Sequence, residues 1–171
     1  QEILLASGES TWPDGATSAR YAFRHALYRQ VAYRGISPSA LRRLHQSVGE
    51  ALEAAYTGRT KEVASELAAH FDESRDVERA IRYHGQAAKH AGSRLAYQEA
   101  RLHLQAALEH LQSRPETAER LQRELPVLSQ LGWTLVAIHG WGDPEAFRVF
   151  ARTRELAERL DVPALRLRAM E

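Results

Sequence analysis

The chain has 171 residues, 44% of them hydrophobic and 26% charged, the proportions of one soluble, foldable domain. Its 23 Lys and Arg meet 22 Asp and Glu for a formal charge of +1, so no strong global field draws it to nucleic acid or anionic lipid. Cysteine is absent, which removes disulfides, thiolate nucleophiles and sulfur-ligated zinc, and fits a reducing cytoplasm. No apolar run approaches the roughly 20 residues that span a bilayer, and Gln1 to Ser10 lack the basic and apolar regions of a secretory signal. The chain opens without Met and holds only Met170, so it reads as a piece excised from a longer protein. Only Lys61 and Lys89 are Lys. The remaining Arg bias is explained by genome composition unless those side chains cluster on phosphate or carboxylate.

In chain order, Ile3-Leu4-Leu5-Ala6 and Tyr21-Ala22-Phe23 flank the turn residues Trp12-Pro13-Asp14-Gly15, which predicts two short strands joined by a loop. Phe23, Ala26, Leu27 and Val31 then recur at helical spacing, with Gly35 placed for a left-handed C-terminal cap. Ser37-Pro38 is a cap followed by a first-turn proline, opening a helix with the stripe Leu41, Leu44, Val48, Ala51, Leu52, Ala55 that stops at Gly58. A helix from about Thr60 carries Val63, Ala64, Leu67, Ala68 and Phe71, and ends in the solvated caps Asp72-Glu73. Asp76 caps the next, whose buried face is read as Val77, Ala80, Ile81, His84, Ala87, Ala88, Ala91 and Leu95. So many small residues predict an inner helix with neighbours on two sides. After a break at Ala96-Tyr97 comes a helix with Ala100, Leu104, Ala107, Leu108 and Leu111, ending before Pro115. Leu121, Leu125, Leu128, Leu131, Leu135 and Ile138 form the next stripe, and Pro126 within it predicts a kink or a break into two helices. Asp143-Pro144 starts a helix with Phe147, Phe150, Leu156, Ala157 and Leu160, and a last one begins at Pro163.

Alanines at fixed offsets along helical hairpins suggest internal repetition. Leu67, Ala68, Phe71, Ala80 and Ala87 meet the tetratricopeptide pattern, in which small residues sit where two helices cross and large ones fill the holes; His84 stands where an aromatic is usual. Ala100, Leu104 and Ala107 form a partial second match, and Leu131-Gly132 with Ala146 and Phe150 a degenerate third. The expected fold is all-α: a right-handed tetratricopeptide-like array of helical hairpins with a small N-terminal β hairpin.

From Tyr21 to Leu52, the run Arg-Tyr-Ala-Phe-Arg-His-Ala-Leu-Tyr-Arg-Gln-Val-Ala-Tyr followed by Leu41-Arg42-Arg43-Leu44-His45 resembles bacterial signal-transduction ATPases of the STAND class. The similarity continues through Glu66 to Phe71, Ala80 to Tyr83 and Glu99-Ala100, then weakly from Leu131-Gly132 to Arg154-Glu155-Leu156. In that family an ATPase module and a winged-helix domain precede tetratricopeptide-like helices, some members adding a nucleotide cyclase and others a DNA-binding regulator domain. The resemblance implies that residues 1–58 are the end of the winged-helix domain and its linking helix, and residues 59–171 the helical repeats. It also implies ATP or ADP and Mg for the parent, none in this piece, and a role for His25 as a sensor of the ADP phosphate. Ala26 replaces the acidic residue often found after that His.

No glycine-rich phosphate loop is present. No His-Glu-x-x-His pair occurs, and His103 and His110, seven apart, have no acidic partner suitably placed between them, so no metal site is expected; no enzyme activity is expected either. Arg42-Arg43 with Arg34 is the best nucleic-acid candidate, its charge reduced by the flanking Glu50 and Glu53. The expected function is a non-catalytic cytoplasmic module that binds a protein or the ATPase domain of its own chain and biases the nucleotide-dependent switch, with Arg82, Gln86, Lys89, Arg101 and Gln105 as groove residues. The alternative is a DNA-binding regulator segment acting through the winged-helix part.

Overall fold

The computed structural model describes residues 3–13 and 15–161. Strand β1 (Leu4–Thr11) pairs antiparallel with β2 (Thr17–Phe23). The turn closes through Trp12 N–H to the Ala16 carbonyl at 2.8 Å and Gly15 N–H to the Trp12 carbonyl at 2.9 Å, with Gly15 at φ +85° where a side chain would be strained. A bulge between Ala6 and Gly8 shifts the register. The strands bury neither face. The hairpin touches the helices through Trp12, which packs against the core formed by Leu52, Ala64, Leu67, Ala68 and Phe71 while its indole N–H donates to Ser18 Oγ at 2.8 Å.

The helices are α1 (Ala26–Gly35), α2 (Pro38–Ala55), α3 (Ala64–Ser74), α4 (Val77–Ser93), α5 (Tyr97–Gln112), α6 (Ala118–His139) and α7 (Pro144–Arg159), with a 3-10 turn at Thr60–Glu62 before α3. Side chains satisfy the first amides of α2, α4, α6 and α7: Ser37 accepts from Ala40, Asp76 from Arg79, Thr117 from Arg120, and Asp143 from Glu145 and Ala146. From α2 to α7 every helix packs on the next. Polar side chains also join helices two apart: Arg79 of α4 to Glu50 of α2, His110 of α5 to Asp72 of α3, Arg123 of α6 to Glu78 of α4, and Arg101 of α5 to Glu145 of α7. The helices therefore stand in two rows, α2-α4-α6 and α3-α5-α7.

The small residues occupy the crossings. Leu67, Ala68, Phe71, Ala80 and Ala87 are all buried, Phe71 stacks on Tyr83 at 5.5 Å, and Gly49 of α2 lies under the Phe71 ring. Gly132 of α6 meets Phe150 of α7 so closely that a built Cβ would stand 2.6 Å from the ring. A second core joins Leu104 and Leu108 to Leu121, Leu125, Leu128, Leu131, Leu135 and Leu156. Each such side chain contributes about 1.5–3 kcal/mol when fully buried.

Several sequence expectations are corrected. The helices and the small N-terminal β hairpin are both as expected, the hairpin being a two-stranded antiparallel sheet; the corrections concern finer points. Gly35 ends α1 without a left-handed conformation; Ile36 and Ser37 are extended, as the approach to Pro38 requires. The stripe of α1 forms no core, since no residue of α1 is buried, and that of α2 contributes only Leu52, beside the buried Gly49, with Leu44 and Val48 exposed. Leu95 lies beyond α4 at φ +61° and is 71% exposed, since the chain reverses there into α5. Phe147 is exposed on the outer face of α7. Helix α6 runs unbroken through Pro126: the carbonyl left unpaired four residues earlier belongs to Gln122, exposed like Pro126 and free to bind water. The helix expected from Pro163 lies outside the described residues.

Candidate functional site

The densest polar chemistry lies where α3, α4 and α5 meet. Asp72 sits in the last turn of α3, His84 on the inner face of α4, and His103 and His110 two turns apart on one face of α5. His84 Nε2 is 2.9 Å from Asp72 Oδ2, and His110 Nε2 is 2.7 Å from Asp72 Oδ1. On its other edge His84 Nδ1 meets His103 Nδ1 at 2.9 Å, and His103 Nε2 meets Ser65 Oγ at 3.2 Å.

An ionised carboxylate only accepts, which assigns the protons when all three imidazoles are neutral. Both Nε2 atoms facing Asp72 carry hydrogen and donate to it. His84 Nδ1 is then an acceptor for His103 Nδ1–H, and His103 Nε2 accepts from the Ser65 hydroxyl. Burial alone would raise the Asp72 pKa, but hydrogen bonds and charge from His84 and His110 outweigh it and hold it below the usual carboxylate value. Burial, and then repulsion from His84, lower the His103 pKa. A related pair, His45 Nδ1 to His70 Nδ1 at 3.0 Å, joins α2 to α3, and there burial lowers the His70 pKa. Asp72, His84 and His110 each offer one donor atom within 4.8 Å of the others, so this trio could hold a metal.

Asp72 was expected to be a solvated helix-end carboxylate; it is instead half-buried between two imidazoles. Ser65, His103, His84 and Asp72 form one continuous hydrogen-bond chain, with a second imidazole standing where a hydrolytic triad would place its carboxylate. Sequence reasoning missed the site because its acid lies 12 residues before His84 and 38 before His110. The signal in reach was the i, i+7 pair His103 and His110 on a face shared with Leu104, Ala107 and Leu111.

The other sequence candidates lie elsewhere. His25 is exposed at the N-cap position of α1, makes no capping hydrogen bond, and has its ring 5.7 Å from that of Tyr28. Arg82 is held against Glu53 of α2 and over the Tyr83 ring. Glu53 also accepts from the Tyr83 hydroxyl; burial, then this hydrogen bond, push the phenol up to about 12. Gln86 accepts from Thr60, Lys89 is exposed on α4, Gln105 is half-buried on α5, and Arg101 approaches Glu145 of α7 at 3.9 Å. The set is thus divided between the α2 side of α4 and the α7 side of α5. Glu50 and Glu53 turn to Arg79 and Arg82, and Arg42 and Arg43 form no ion pair among the described residues.

Comparison with family models, with curated proteins and with solved structures finds no significant match to the chain. No helix among the described residues is long and apolar enough to cross a membrane.

Proposed function

We propose that this chain is a non-catalytic interaction module of a STAND-class signalling ATPase, made of the end of a winged-helix domain and a tetratricopeptide-like array. Its N-terminal face docks on the ATPase domain of its own chain, and the helical array behind it binds the protein that sets the switch. The observation that carries this reading is the unpartnered surface of β1, β2 and α1. Leu4, Tyr21 and Phe23 share one face of the hairpin, Leu27 and Val31 lie one turn apart on α1, and all five are 37–66% exposed, more large apolar side chains than a free surface needs to show. Residues 15–49 hold six Arg and no acidic residue, and none of those Arg forms an ion pair among the described residues. A surface both apolar and cationic suits an acidic protein face. The burial of Leu67, Ala68, Phe71, Ala80 and Ala87 supports the repeat assignment. The proposed setting is the cytoplasm.

The same six Arg favour the second reading, DNA contact through the N-terminal part. Phosphate binding uses Arg but gains little from exposed Leu27 and Val31, so the protein reading is preferred. Leu27→Asp with Val31→Asp tests it: binding to the ATPase domain falls at least tenfold while helical content is retained. Unchanged affinity contradicts the reading. Duplex binding that weakens steeply with salt and ignores the two Asp substitutions establishes the alternative.

A further inference from the structure

We propose that Asp72, His84 and His110 form a divalent transition-metal site, with Zn2+ the fitting ion, that ties α3, α4 and α5 together. Two imidazole nitrogens and one carboxylate oxygen are a borderline-hard donor set suited to Zn2+ and poorly suited to Ca2+ or Mg2+, which take oxygen. The donor atoms already converge. Both Nε2 atoms point at the same carboxylate from the neighbouring helices α4 and α5, 2.9 and 2.7 Å from its two oxygens. Ligands about 2.0–2.1 Å from a tetrahedral zinc lie roughly 3.3 Å from one another. Admitting the ion asks one Asp72 oxygen to serve both imidazoles, its present contact opening by about half an ångström, and the donor atoms, now within 4.8 Å of one another, to draw in to that common spacing, within reach of the partly exposed side chains of Asp72 and His110.

The surroundings fit ligation as well as they fit the hydrogen-bonded form. A ligating His is held by a hydrogen bond at its other nitrogen. When Zn2+ takes the place of the proton on His84 Nε2, the proton of that ring moves to Nδ1 and is donated to His103 Nδ1, and His103 Nε2–H then donates to Ser65 Oγ. Every partner is already at hydrogen-bond distance, 2.9 and 3.2 Å, so the network reverses direction by a change of tautomer in each ring and a turn of the Ser65 hydroxyl, its heavy atoms staying in place. Asp72 and His110 have 35% and 27% of their side chains exposed, which gives the ion a path in and leaves a fourth position for water. Three protein ligands from three successive helices make occupancy a property of the array's packing. An ion that binds only the folded array stabilises it with the logarithm of its excess over Kd.

The test titrates the metal-free chain with Co2+ and then Zn2+. One Co2+ should bind per chain with the visible absorption of a four-coordinate site, and Zn2+ should displace it. At about 100 times Kd, Zn2+ should raise Tm by roughly 5–10 °C. His110→Ala and Asp72→Asn, both at partly exposed positions, should abolish the Co2+ absorption and the Tm shift. His103→Ala should weaken binding about 10- to 100-fold through its hold on His84, and His139→Ala, remote on α6, should change nothing. Since His84 is buried, it is left intact, and the helical circular-dichroism signal of each metal-free variant verifies its fold. Absence of stoichiometric Co2+ or Zn2+ binding by the folded chain, or binding that survives both His110→Ala and Asp72→Asn, overturns the proposal.

Discussion

Glu124 is 1% exposed on the face of α6 that carries Leu121, Leu125 and Leu128. Its charge is met by Arg120 at 3.1 Å and Arg152 at 3.9 Å, and Gln112 donates to Oε1 at 3.5 Å. Removing Glu124 takes a buried partner from Arg120, which keeps Glu116 at 3.2 Å, so Glu124→Ala should cost about 1–3 kcal/mol, read from the urea midpoint. Replacing Arg120 and Glu124 together by Met and Leu should recover most of that loss. The sequence could show that position 124 shares the stripe of Leu121 and Leu128, since offsets of three and four place it there. It could not show Arg152, which arrives from the next helix. The same limit governs Asp72, whose partners come from two other elements, while the small residue at Gly132 and the aromatic at Phe150 were legible because the repeat pattern encodes their meeting.

At the scale of elements, arginine joins helices that are not sequence neighbours. Glu78, at the start of α4, is bound by Arg123 of α6 and by Arg114 after α5. The hydrogen bond from Arg123, then that from Arg114, depress its pKa from 4.5 to about 2. A depressed carboxylate stabilises the fold above its unfolded pKa and loses that contribution as pH falls through its folded one, here between about 4.5 and 2. The Glu78 side chain is 58% exposed, so screening holds the effect to about 0.5–1 kcal/mol. Glu78→Gln should therefore lower stability by about that much at pH 7 and flatten the pH dependence over this acid window. Arg120, Arg152 and Arg159 gather on Glu116 in the same manner. Genome composition alone does not account for where these Arg stand, although composition was all that a list of residue types offered. The helix starts were legible because Ser37, Asp76 and Asp143 cap their own helices locally. The exposure of the α1 and α2 stripes was not, because periodicity reports an apolar face and not what covers it.

On the scale of the whole molecule, the formal charge of +1 conceals a division. Residues 15–49 carry only Arg, whereas the acidic residues are concentrated among the helices that follow, where Arg and carboxylate pair. This asymmetry was readable along the sequence and is lost in the sum. Within the N-terminal part, the β hairpin meets the helical core through Trp12. A two-stranded hairpin is marginal by itself, so Trp12→Ala should abolish hydrogen-exchange protection of β1 and β2 amides while the helical signal is unchanged. Retained protection would mean that the strands need no support from the α2–α4 core. We propose that the apolar, cationic N-terminal face docks on the ATPase domain of its own chain and biases its nucleotide-dependent switch. A contact that biases a switch must differ in affinity between its two states. The decisive measurement is the affinity of this chain for the parent's ATPase domain, taken with ADP and with a non-hydrolysable ATP analogue. A difference of at least fivefold, about 1 kcal/mol of coupling, that disappears in the Leu27→Asp, Val31→Asp variant is predicted. Equal affinity in the two nucleotide states, or no binding in either, would contradict the account.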